Sequence, residues 1–133
     1  MSNAEKTEAY VNYIEQNKLE KVKRINTFRL HGWRYLNRDY VILSTSIRKP
    51  YLVEISGPCH ELAFSHSIGI HHDGTTLTDR FDWVFAPSQP DIRCMIRSIH
   101  KLSREQADQL ATIGKSGEEE NETEKNAEKS GKE

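Results

Sequence analysis

Two cysteines, six histidines and a scatter of serines and carboxylates carry the reactive chemistry in this 133-residue chain. Cys59 follows the turn signal Ser56-Gly57-Pro58. Cys94 falls on the inward side of the alternating run Ile92-Arg93-Cys94-Met95-Ile96-Arg97. Joined, the two would close a loop of about 35 residues and stabilise the fold by roughly 3–4 kcal/mol, mainly through the unfolded state. Unjoined, they would be two small buried hydrophobes in a reducing compartment. The residues themselves leave both readings open, and without a Cys-x-x-Cys the pair does not read as a redox dithiol.

The histidines are His31, His60, His66, His71, His72 and His100. On an extended strand His66 and His72 share a face while His71 opposes them, and no pair has a usual zinc-ligand spacing. They read as turn histidines beside a hairpin, so no metal and no other cofactor is expected. Nucleophilic catalysis has no better footing, because no serine sits in a Gly-x-Ser-x-Gly turn. Glu54, Glu61, Asp79 and Asp82 carry carboxylates that no spacing pairs, and Glu54, between Val53 and Ile55, is expected to face solvent. No enzymatic activity is expected.

Charge is distributed unevenly. Residues 21–104 hold 13 Lys/Arg against 7 Asp/Glu, whereas residues 114–133 hold 4 Lys against 7 Glu. Arg24, Arg29, Arg34, Arg38, Arg48 and Lys49 are interleaved with Phe28, Trp33, Tyr35 and Tyr51. Positive charge with aromatic platforms is how sheet proteins hold single-stranded nucleic acid. The excess is modest, and aromatics alternating at strand period belong mostly to a core. Arg34, Tyr35, Arg48 and Lys49 therefore form the candidate binding surface, with nucleic acid as the alternative partner.

These groups must be positioned by short elements. Tyr10, Tyr13 and Ile14 at helical spacing predict a helix over 5–17. From Val22 the period changes to two. Ile25 to Leu30 predicts a first strand, Trp33 and Tyr35 lie beyond His31-Gly32, and Asn37-Arg38-Asp39 is a turn. Tyr40 to Ser46 is a second, largely buried strand. Tyr51 to Ile55 follows, with Tyr51, Val53 and Ile55 on one face. Ser67 to Ile70 is a short strand ending at the hairpin signal Asp73-Gly74. Phe81, Trp83, Val84 and Phe85 mark another apolar segment, closed by Pro87 and Pro90. Ile92, Cys94 and Ile96 point inward on the last strand. Ser103-Arg104-Glu105-Gln106 is a capping box before a helix that ends at Gly114.

The expected architecture is α+β: an antiparallel meander or partly closed barrel of about six strands with an N-terminal and a C-terminal helix. Residues 1–21 form the N-terminal helical segment, 22–113 the strand-rich domain with its C-terminal helix, and 114–133 a disordered acidic tail. No apolar run approaches the roughly 18 residues of a membrane span.

The stretch from Lys23 to about Leu102 resembles an uncharacterised family of small proteobacterial envelope proteins and lipoproteins. The resemblance rests on Trp33 and the strand after it, Tyr51-Leu52-Val53-Glu54, Cys59 with Leu62, Phe81-Asp82, and Arg93-Cys94-Met95-Ile96 with Ile99. The spacing of the two cysteines is its firmest element. Members of that family usually begin with a signal or lipoprotein signal peptide, and the start of this chain has no hydrophobic region of that kind. The resemblance implies a Cys59–Cys94 disulfide and, with a leader removed, a periplasmic or envelope location; the alternative is the cytoplasm. It implies a non-enzymatic binding or structural role toward an envelope protein, a lipid or a cell-wall partner, and it supplies no catalytic residues.

Overall fold

The computed structural model describes residues 2–113. The acidic tail expected over 114–133 lies outside them.

The first helix, α1 (Asn3–Gln16), starts two residues earlier than its apolar spacing predicts. Ser2 is the cause: its hydroxyl accepts from the Glu5 amide, and the Glu5 carboxylate accepts from the Ser2 amide. Strands then follow in quick succession: β1 (Lys21–Val22), β2 (Arg24–Ile25), β3 (Gly32–Tyr35), β4 (Tyr40–Ser44) and β5 (Pro50–Ser56). A 3₁₀ turn (His60–Phe64) precedes β6 (Gly69–His71), β7 (Leu77–Thr78), β8 (Trp83–Phe85) and β9 (Cys94–Lys101). Residues 104–113 form the second helix, α2, and Ser103 and Gln106 make both bonds of the expected capping box.

Six strands hydrogen-bond in the order β3-β4-β5-β9-β8-β6, all antiparallel, and curl into a half-barrel. β1 joins the same sheet against the far end of β9, and β2 with β7 forms a separate two-stranded ribbon. The meander holds only from β3 to β5. The last strand then enters the middle of the sheet, a long-range pairing with no local signal.

Both sheet faces are covered over the central strands, so β4 is buried from Tyr40 to Leu43. On the inner face Val41, Leu43, Val53, Ile55, Ile96 and Ile99 pack with Phe28, Leu62 and Leu77. On the outer face Tyr40, Ile42 and Leu52 lie under Tyr10 of α1 and Ala107 and Leu110 of α2. Tyr51, Val53 and Ile55 share the inner face as their spacing predicts.

The turn at Asn37-Arg38-Asp39 is also where α1 docks. Thr7 Oγ1 donates to the Asp39 carboxylate at 2.7 Å, and the buried Asn37 amide donates to Thr7 Oγ1 at 2.8 Å. Tyr13 donates its phenolic hydrogen to Gln109, tying the two helices together.

Several local expectations change: Asp73-Gly74 turns the chain without pairing its flanking strands, since β6 pairs with β8 and β7 with β2, and Ile92 lies before β9. The predicted strand from Ile25 to Leu30 stops after Ile25, because Thr27 takes φ 53° and turns the chain; Phe28 reaches the core from the loop. Phe81 points out of the apolar segment in which it was expected and is 74% exposed. Glu54 is half-buried and accepts a 3.0 Å hydrogen bond from Ser98 Oγ on the neighbouring strand.

Candidate binding surface

Cys59 and Cys94 form a disulfide, with their Cα atoms 6.0 Å apart. Cys59 leads into the 3₁₀ turn and Cys94 opens β9, so the bond pins a loop segment onto the start of the central strand. Gly57 makes the approach possible. Its φ of +132° suits glycine, and a Cβ there would lie 2.9 Å from the Arg93 carbonyl oxygen.

The four residues of the expected binding surface do not converge. Arg34 faces outward from β3 toward α2, where its guanidinium meets Asp108 at 3.1 Å. Tyr35, the next residue, turns to the opposite face and packs against the inner core, as does Trp33. Arg48 and Lys49 are exposed on the turn between β4 and β5. Arg34 instead lines an open groove of about 340 Å³ between β3 and α2, with Ile42, Ile47, Pro50, Arg104 and Ala107.

A buried polar row lies under the helices. Tyr40 and Glu54 are register partners on β4 and β5, and Glu54 and Ser98 are partners on β5 and β9. Burial pushes the Tyr40 phenol up to about 12, with Glu54 and then Asp39 adding to the effect. His100 continues the row. Its Nδ1 is buried without a hydrogen-bond partner among the described residues. Burial holds its pKa below the ordinary histidine value, Lys21 reinforces the shift, and Glu54 opposes it. Ser98 gives its hydroxyl hydrogen to Glu54, a structural tie and not the Ser-to-His hydrogen bond that activates a nucleophile.

Further along the outer face, the Trp83 ring is flanked by His71 on β6 and by Arg93 just before β9. His71 stacks on it with centroids 3.8 Å apart and planes 4° from parallel, and Arg93 Cζ sits 4.2 Å from its centroid. Spacing could not show this group, since its members come from β6, β8 and the residue just before β9. His72 folds back onto the turn that follows it, with Nδ1 2.9 Å from the Gly74 carbonyl oxygen. Among the described residues no three His, Cys, Asp or Glu side chains lie where they could hold a metal ion, and no helix is long and apolar enough to cross a membrane.

Fold and site together define a small α+β half-barrel fastened by one disulfide. The chain belongs to a family of unknown function (DUF6491), whose model matches residues 1–118. Neither the curated proteins nor the solved structures yield a match.

Proposed function

We propose that this protein is a non-enzymatic binding or structural domain of the bacterial envelope, acting on a protein, lipid or cell-wall partner outside the reducing cytoplasm. The observation that carries the reading is the Cys59–Cys94 bond. Structural disulfides persist in oxidising compartments and are rare where glutathione and thioredoxin keep thiols reduced. The inward turn of Trp33 and Tyr35 adds support, because it removes the aromatic platform on which a nucleic-acid reading depends.

The test is peptide mapping under non-reducing conditions on protein alkylated at lysis of its native host. A linked Cys59–Cys94 peptide is the expected result. Both cysteines recovered as alkylated thiols would overturn the envelope assignment and favour a cytosolic role.

A further inference from the structure

The geometry points to residues 79–82 as a membrane-contact turn that seats Phe81 among the headgroups of an anionic phospholipid surface. This names a partner for the binding domain proposed above, and rests on that reading for its compartment.

Phe81 is 74% exposed, yet the turn that presents it is held firmly. The Asp79 amide donates to the Lys23 carbonyl at 2.8 Å, and the Arg80 amide donates to the Ile96 carbonyl at 2.6 Å. Ile96 returns a bond from its own amide to the Asp82 carbonyl at 3.1 Å. The Asp82 carboxylate accepts from the Thr78 amide at 2.6 Å. Arg80 adopts φ 68°, a left-handed conformation that costs a residue with a side chain. An aromatic ring is thus held in water by a strained turn whose flanking residues are hydrogen-bonded to two neighbouring segments, against the tendency that buries such rings.

The charges that the turn presents to solvent are cationic. Both acids of the turn, Asp79 and Asp82, are buried at 8% and 3% exposure. The exposed charged side chains on the turn and on the backbone segments bonded to it are basic. Arg80 is in the turn, Lys23 is joined to Asp79 through the backbone, Arg24 is the register partner of Thr78, and Arg97 follows Ile96. A protruding apolar tip with a basic collar matches an interface whose headgroups are anionic and whose interior is apolar. Single-stranded nucleic acid is the weaker fit, because its recognition uses successive free aromatic faces and the nearby Trp83 ring is flanked by His71 and Arg93.

The full chain should co-sediment with phosphatidylcholine vesicles containing half phosphatidylglycerol and not with phosphatidylcholine alone, and added salt should weaken the binding. Phe81→Ala should lower the partition coefficient roughly tenfold. Arg97→Ala, and Arg80→Gly, which suits the left-handed backbone, should each lower it roughly fivefold. Lys18→Gly, which removes an exposed cation elsewhere at a position whose φ of 50° suits glycine, should leave it unchanged. Absent sedimentation, equal binding by Phe81→Ala, or an equally large loss for the exposed Phe64→Ala would overturn the proposal. A single-stranded oligonucleotide bound through Phe81 without vesicle binding would replace it with nucleic acid. A linked cysteine peptide from the host without vesicle binding sinks this turn alone. Free thiols with vesicle binding sink only the envelope reading.

Discussion

Ile96 and Ile99 face the same side of the sheet, although side chains three positions apart on a regular strand point to opposite sides. The register explains this: Glu54 pairs with Ser98 and Ile55 with Ile96, which leaves Arg97 as an extra residue in a β-bulge. The bulge resets the phase of β9, so the inner core is fed by Cys94 and Ile96 before it and by Ile99 after it.

Deleting Arg97 should therefore destabilise the protein far more than Arg97→Ala. The deletion must either rotate Ile99 out of the core or break the pairing with β5. A loss of at least about 2–3 kcal/mol is expected, comparable to removing a buried isoleucine side chain. Urea denaturation should show it, while the alanine variant unfolds close to the wild-type midpoint.

The disulfide spans 35 positions. Replacing both cysteines by serine should lower stability by about 4 kcal/mol in thermal or denaturant unfolding. Gly57→Ala should also destabilise, by more than about 1 kcal/mol, since the new Cβ meets backbone at 2.9 Å and φ is +132°. A neutral Gly57→Ala would show that the Ser56–Cys59 turn can shift without cost.

His100 makes stability depend on pH. Its folded pKa lies below the ordinary value, so the folded state favours the neutral ring and binds fewer protons than the unfolded chain. The contribution is fully present above the unfolded pKa of about 6.5 and is lost as pH falls through the folded value. Urea midpoints for wild type should fall from pH 7.5 to pH 5 more steeply than those for His100→Gln. Parallel profiles would remove His100 from the account.

Asn37 ties α1 to the sheet. Its Nδ2 donates to the Asn3 carbonyl and Thr7 Oγ1, and its Oδ1 accepts from the Asp39 and Tyr40 amides. Asn37→Ala should cost roughly 2–3 kcal/mol, because it strands buried partners. Hydrogen exchange should quicken first in α1. Uniform loss of protection across the sheet would show that α1 does not open separately.

Much of this architecture follows from local sequence. The apolar run from Tyr40, the alternation from Tyr51, the Asn37–Asp39 turn and the Ser103–Gln106 box are set by neighbouring residues, and each occurs where its pattern places it. Ser2-x-x-Glu5 carried the same capping signal and was hidden only by the apolar stripe beginning later. The half-turn at Thr27 had no such signal: a threonine does not announce a left-handed backbone, and the Phe28 amide bond to the Thr75 carbonyl helps hold it there.

Tertiary structure decided the surface. Alternation places Arg34 and Tyr35 on opposite faces, but only strand order shows that one face lies against the core and the other beside α2. The Trp83 stack and the cations around Phe81 each draw on segments far apart in the chain. Spacing reports on one element at a time, whereas β9 enters the sheet beside β5 and gathers β8, the 79–82 turn and β1 along its other edge. That pairing is stabilised by apolar area buried across the whole sheet, a quantity no single stretch of sequence contains.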